Sequence, residues 1–385
     1  MSLPPAVILG SATGGLSFAR SLGRRGVPLW MLSSFRLVGE LSRYARVMRL
    51  PISRYEPRVW LETLDRLADL GAQILFPLHD EYVLLVARNY ERVAARYKIL
   101  MPAVKTVHQI MDKKSQYEFV RAAGVCVPRT FYPETRKDLS NIAAQISFPC
   151  IAKPRISHIW RGALNLKARV ADTPRALEHA LADVPLSEFL VQEIVQGGED
   201  QIYAYFGYWE KTRGEIAHVV VKKLRQYPPD FGDGALFETV DAAPVLELSR
   251  HVLGAFDFHG IADVEFKFDA RRNIWYFIEI NPRPAGMTEI APRAGVDYAW
   301  LAYQALIGNS FMHDNTYQRG VRMVNEEIDP FAFLELRRRG SLTPMAWLQS
   351  LRGAQPMILA WDDPAPFLHG GWRIVKRALG NFRPL

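Results

Sequence analysis

Hydrophobic positions in the first part of the chain come in short unbroken runs separated by stretches of helical spacing. Val7, Ile8 and Leu9 form the first run, and a glycine-rich turn from Gly10 to Leu16 leads into helical spacing through Arg25. Residues 27–32 form the next run. Strand, glycine turn, helix and strand in this order make a βαβ unit and predict a parallel sheet. Residues 60–70 have amphipathic helical spacing. Residues 74–78 read as a further strand, ending at His79, Asp80 and Glu81. Ligands of open α/β sheets bind just past the carboxyl ends of the strands, so these three residues are candidates for substrate contact. Asp80 suits a helix cap equally well.

From about residue 111 the pattern is mixed. Residues 111–123 read as a helix, with Asp112 near its start and Gly124 beyond its end. Residues 147–154 form a strand with Lys153 at its exit. Residues 173–182 form a helix capped by Thr173 with Pro174 in its first position, and residues 189–195 a strand stopped by Gly197 and Gly198. Residues 202–209 and 216–224 alternate as antiparallel strands. A helix at 244–256 precedes two strands, 260–268 and 274–280, joined by a turn at 269–273. The fold class is therefore α/β followed by α+β. A Rossmann-like domain spans 1–111, a small mixed subdomain 112–190 and a larger subdomain on an antiparallel sheet 191–310. A helical extension is expected over 311–385. Residues 372–379 space basic and apolar positions helically, which suits a helix docked on the protein body, with a membrane surface as the alternative.

Composition changes this picture little. A chain of 385 residues, 49% hydrophobic and 23% charged, has the size and balance of a soluble protein of two or three domains. No apolar run approaches the length of a membrane span. Cys126 and Cys150 stand far apart without metal-ligand spacing, which excludes a disulfide framework and makes a reducing cytoplasm the expected location. The net charge of +8 serves solubility or attracts an anionic substrate. With no nucleic-acid motif and no long run of like charges, no nucleic-acid partner is expected. Nothing in the pattern fixes an oligomeric state.

The chemistry concentrates in two neighbouring strands. Alternation sets Glu265 on the face opposite Val264 and Phe266, and sets Glu279 and Asn281 together with Ile278 and Ile280 turned away. Two carboxylates and an amide oxygen on adjacent strands suit Mg²⁺, a hard cation that commonly bridges protein carboxylates to substrate phosphates; Mn²⁺ would accept the same ligands. Arg283, two residues further on, offers a fixed positive charge for a phosphate or an acyl-phosphate oxygen. The alternative is a pair of carboxylates neutralised by Lys267 and Arg283 on a solvated face. Lys222, Lys223 and Arg225 end a strand before a Pro/Gly loop at 228–232, where they could meet a triphosphate or a carboxylate. The early turn, with Gly10, Gly14 and Gly15, lacks the spacing of a dinucleotide fingerprint and reads better as close helix–strand packing.

These motifs resemble those of the ATP-grasp superfamily. Glu265 followed by Glu279, Asn281 and Arg283 is similar to its metal-binding acid and E-x-N-x-R strand. Asp112–Lys113, Gly124–Val125 and Pro128 resemble the opening of its nucleotide-binding domain, and residues 148–154 resemble its F-P-x-x-x-K-P strand. The resemblance implies that Lys113 and Lys153 contact ATP phosphates. It makes residues 191–197 the adenine hinge, with Gln192, Glu193 and Val195 at the nucleotide, and gives Glu199 the ribose hydroxyls. It also implies phosphate contacts from the loop at 155–162, through Ser157, His158 or Arg161, although this loop has one glycine where the family's is glycine-rich. The Lys223–Arg225 spacing, the Pro228–Pro229 stop and Asp362–Asp363–Pro364 are similar to a branch of predicted carboligases. The implied activity is carboxylate–amine ligation through an acyl phosphate, with ATP and Mg²⁺ and small-molecule carboxylate and amine substrates. Arg283, Lys223 and Arg225 would serve the reacting groups. Bicarbonate or thiol chemistry, a catalytically inactive nucleotide-binding module and a dinucleotide enzyme are the rival expectations.

Overall fold

The computed structural model describes residues 3–157, 159–160, 168–309 and 313–370. Its strands fall into three sheets. The first contains β1 (Ala6–Leu9), β2 (Leu29–Ser33), β3 (Arg46–Arg49), β4 (Ile74–Pro77) and β5 (Lys98–Ile99). All its pairings are parallel, in the order β3-β2-β1-β4-β5. Both faces of β1 are buried, as a parallel strand with crossover connections requires. Val7 and Leu9 pack with Trp60, Leu64 and Tyr82, while Ala6 and Ile8 pack with Phe18 and Leu22.

The glycine turn has the packing role. Gly10 is left-handed at φ +117°, and a Cβ on Gly15 would sit 2.1 Å from the Gly10 carbonyl oxygen. Only glycine lets the helix Thr13–Gly23 approach the strand this closely. Thr13 Oγ1 donates to the Gly286 carbonyl, so the turn is also packed against the later part of the chain.

The second sheet holds β6 (Thr130–Phe131), β7 (Cys150–Pro154), β8 (Arg169–Ala171) and β9 (Phe189–Glu193) in the order β6-β9-β7-β8. The third and largest holds β10 (Ile202–Glu210), β11 (Gly214–Tyr227), β12 (Asp233–Thr239), β13 (Gly260–Asp269), β14 (Ile274–Asn281), β15 (Arg322–Val324) and β16 (Ala354–Pro356), in the order β14-β13-β10-β11-β12-β15-β16. On one face Ala204, Phe206, Val219 and Phe237 join the cluster that contains Ile8 and Phe18, so the first and third sheets share a core. On the other, Tyr205, Val220 and Val264 pack against Val245, Val252 and Leu253 of the helix Ala243–Ala255.

The last part of the chain departs from the helical extension expected there. It does supply helices, Asp329–Arg338 and Pro344–Ser350. It also adds β15, antiparallel to β12, and β16, parallel to β15, to the edge of the large sheet. Beyond them Asp363 is buried against the first domain, accepting from Arg20 Nε at 3.0 Å, Ser42 Oγ at 2.8 Å and the Arg43 amide at 3.0 Å. Asp362 pairs with Arg24 and Tyr44. The basic segment 372–379 lies outside the described residues. No described helix is long and apolar enough to cross a membrane.

Candidate active site

The second and third sheets face each other across a cleft. Lys113, Lys153, Gln192, Glu193, Val195, Lys223, Glu265 and Glu279 all line it. Each arrives by a separate local rule. Asp112 caps the helix Lys113–Ala122 by accepting from the Lys114 amide at 3.0 Å. That cap places Lys113 in the first turn, facing β14. Arg155 binds the same Asp112 carboxylate at 2.5 Å and fixes the exit of β7, which carries Lys153. Antiparallel register then sets Glu265 directly across from Glu279.

Charge at this end of the cleft is closely matched. Lys113 Nζ lies 2.7 Å from Glu279 Oε2, and Lys223 Nζ lies 2.8 and 2.9 Å from the two Glu265 oxygens. Burial works against the ammonium charge of Lys113, yet Glu279 outweighs it and holds the pKa above the ordinary lysine range. Glu265 does the same for Lys223. Arg283 is buried and paired with Asp80 at the start of the helix Asp80–Arg88, with Asp263 and Glu279 as further charged neighbours. Asp80 thus holds an arginine, and the N-cap position of its helix falls to His79. Neither Arg283 nor Asn281 is among the residues that line the cleft itself.

Asp263 is the residue that sequence reasoning passed over. It lies two positions before Glu265 and directly across from Asn281, whose amide donates to Asp263 Oδ2 at 3.1 Å. Burial, with Glu265 and Glu279 as like-charged neighbours, pushes its carboxyl well above the usual range. Its Oδ1 is buried with no hydrogen-bond partner among the described residues. The signal was present: Asp263 and Glu265 share a face by simple alternation.

The donor set fits a hard divalent cation. Glu265, Glu279 and the Asn281 carbonyl oxygen are oxygen ligands, and the unsatisfied Asp263 oxygen stands beside them. Among the described residues no three His, Cys, Asp or Glu side chains form a protein-only cage. A site of two carboxylates and an amide leaves the remaining positions to water and phosphate, as Mg²⁺ prefers.

Two further expected residues lie away from the cleft. Arg225 does not reach the cleft. The register of β11 against β12 shifts on either side of it, between Lys223 and Arg225 and again before Gln226. Such bulges redirect side chains. Arg225 is instead buried against Asp329, with Nε 2.7 Å from Oδ1, and it also donates to Ser350. Glu199 is not among the residues lining the cleft. Its carboxylate accepts from the amides of Gln226 at 3.0 Å and Asp230 at 2.8 Å, and so holds the loop after β11. Burial raises its pKa against those two hydrogen bonds. Gln226, Asp230, Phe231 and Lys267 line the cleft where Glu199 was expected. Of the loop at 155–162, Ser157 lines the cleft, while His158, Arg161 and Gly162 lie outside the described residues.

This arrangement is the ATP-grasp fold. Residues 210–328 match a family model described as "ATP-grasp in the biosynthetic pathway with Ter operon". The formate-dependent phosphoribosylglycinamide formyltransferase of Bacteroides thetaiotaomicron is 26% identical over 223 residues, 54% of this chain and 55% of that protein. The chain therefore spans about half the length of the curated relatives it matches. N5-carboxyaminoimidazole ribonucleotide synthetase from Thermus thermophilus superposes with a TM-score of 0.65 at 16% identity, covering 83% of this chain and 82% of the other. L-amino acid ligase from Bacillus licheniformis superposes with a TM-score of 0.63 at 14% identity, covering 80% and 75%. At such identities the structural likeness establishes the fold, while the reaction rests on the site.

Proposed function

We propose that this chain is an ATP-dependent carboxylate–amine ligase of the cytoplasm, acting on small-molecule substrates and releasing ADP and phosphate. The observation that carries the proposal is the cleft, in which Lys113, Lys153 and Lys223 stand with Glu265 and Glu279 at one end and the β9 hinge at the other. The sequence relatives and the structural neighbours support the same class, being an ATP-grasp family model, a formyltransferase and ligases.

In this reading the hinge around Glu193 and Val195 offers backbone groups to the adenine edge, and Lys113 and Lys153 hold the phosphates as point charges. Mg²⁺, held by Glu265, Glu279 and Asn281, would neutralise charge on the phosphates. A substrate carboxylate attacks the γ-phosphorus and forms an acyl phosphate with loss of ADP. An amine then attacks the acyl carbon and phosphate leaves. Lys223, which lines the cleft, would supply positive charge where oxyanion charge develops. Water would have to be excluded until the amine arrives, which a cleft walled by two sheets favours.

The test is incubation with ATP, Mg²⁺ and pools of carboxylates and amino acids, with ADP release and new amide products both measured. Amide formation dependent on both substrates supports the assignment. ADP release that follows bicarbonate alone would replace ligation with carboxylation, and binding of ATP without turnover on any pool would leave a nucleotide-binding module.

A further inference from the structure

The positive charge of the chain is unevenly placed. Between residues 20 and 58 nine arginines stand against two glutamates, with no aspartate or lysine, in a chain whose net charge is +8. The fold gathers part of this charge at one end of the first domain. The end of the helix Thr13–Gly23, the segment before β3 and the segment after β16 meet there. Arg24 and Tyr44 bond to the Asp362 carboxylate, and the Arg43 amide donates to Asp363. Arg43 is exposed, and its guanidinium reaches only the Asp362 main-chain carbonyl, at 3.4 Å. Arg46 opens the edge strand β3; it is exposed and pairs with no carboxylate among the described residues. Trp361 stands next to Asp362 and is 89% exposed, more than any other large hydrophobic side chain among the described residues. Phe367 packs on the core shared by the first and third sheets, whereas Leu368 beside it is 68% exposed. Residues 371–385, outside the described residues, carry Arg373, Lys376, Arg377 and Arg383 and no acid.

We propose that this end of the first domain docks on an anionic lipid bilayer, with Arg43 and Arg46 at the lipid phosphates and Trp361 and Leu368 in the interfacial layer. The inference is independent of the ligase reading. A tryptophan ring suits the boundary between hydrocarbon and water, because its body is apolar while its N–H keeps a hydrogen bond. Guanidinium groups match phosphate geometry, and each basic residue near an anionic leaflet adds to the attraction. A bilayer presents both features together, phosphate at its surface and hydrocarbon beneath. Nucleic acid and acidic proteins match the charge but offer no continuous apolar layer to Trp361 and Leu368. Nearby acids do not cancel the patch. Asp362 is taken up by Arg24 and Tyr44, Asp363 is buried against Arg20, and the nearly buried Glu40 is paired with Arg49.

The test is flotation of the full chain with phosphatidylcholine vesicles and with vesicles that also contain phosphatidylglycerol. Wild type, Trp361→Ala and the double variant Arg43→Gln/Arg46→Gln are compared. Wild type is expected to float with the anionic vesicles only and to be released by high salt, which screens the attraction. At about fivefold per basic residue, the double variant should bind anionic vesicles more than about tenfold more weakly. Trp361→Ala should lose at least about fivefold through the apolar surface it no longer inserts. These side chains are exposed, so melting midpoints near wild type separate lost binding from lost fold. Should the double variant melt early, Arg46→Gln alone takes its place, with a loss of about fivefold expected. Failure of the wild type to float with anionic vesicles overturns the proposal. Equal flotation with both kinds of vesicle, or wild-type binding by the variants, overturns it as well. Binding of a mixed-sequence single-stranded oligonucleotide without flotation would replace the bilayer with nucleic acid.

Discussion

The two ends of the cleft are built on opposite plans. At the end that carries the acidic strands Lys113 faces Glu279 and Lys223 faces Glu265, and behind them Arg283 faces Asp80. At the hinge end Gln226 and Lys267 line the cleft, and Gln226 Nε2 is buried without a hydrogen-bond partner among the described residues. The wall that carries Gln226 is secured from behind, by Glu199 on the loop amides and by Arg339 on Asp230 at 2.6 Å. Paired charges fix one another's positions and so preorganise a site for groups of high charge. Unspent donors hold hydrogen-bonding capacity for a neutral ligand group.

The largest expected effect lies at the charged end. Glu279→Gln keeps a hydrogen-bond acceptor for Lys113 but removes a carboxylate from the cation site. ATP turnover is expected to fall by more than about a hundredfold, the usual upper cost of disturbing only the groups around a metal ligand, while the melting midpoint stays near wild type. Unchanged turnover would remove Glu279 from the site.

Lys223→Met should be the most costly for stability, because it leaves Glu265 as a buried carboxylate without its ammonium. A loss of about 3–5 kcal/mol is expected in denaturant unfolding. The pH dependence gives a second reading. The folded pKa of Lys223 is raised, so the stabilisation from its pair is fully present below the unfolded lysine pKa and is lost as pH rises through the folded value. Wild type and Lys223→Met should therefore converge in stability under strongly alkaline conditions, and a difference independent of pH would contradict the pairing.

Arg225→Met tests the boundary of the site. Its pair with Asp329 is buried, with side-chain exposures of 5% and 1%, and breaking it should cost about 3 kcal/mol. The cost is expected in the unfolding midpoint. An equal loss of ADP affinity, measured by calorimetry, would put Arg225 back in the cleft. The smallest effect belongs to Arg339→Ala. Its bond to Asp230 is half exposed and worth at most about 1 kcal/mol, so ADP affinity should change by less than about fivefold. A larger loss would mean that the outer brace governs the hinge end.

The phosphate end was legible in the sequence because its residues obey short-range rules. Glu265, Glu279 and Asn281 follow strand alternation, and Lys113 follows a helix cap. The wall formed by the end of β11 and the loop after it was not, because its geometry depends on departures from those rules. Lys223 and Arg225 share a face only if β11 is regular, and it shifts register twice at that point. Glu199 folds back on residues 226 and 230, contacts that no local period announces. The edge strands Arg322–Val324 and Ala354–Pro356 are three residues each, too short for a period of two to stand out from helical neighbours.

Arg20 and Asp363 lie 343 positions apart in sequence and are both almost fully buried where they meet. Chains emerge from the ribosome in order, and early segments begin to fold before late ones exist. The guanidinium of Arg20 has to remain hydrated until the acidic segment has been synthesised, since burying it alone is prohibitive. The helix Thr13–Gly23 can therefore form early but can seat fully against its sheet only after residue 363 has been synthesised. A chain arrested before residue 363 should expose this first helix to protease, while the finished chain protects it.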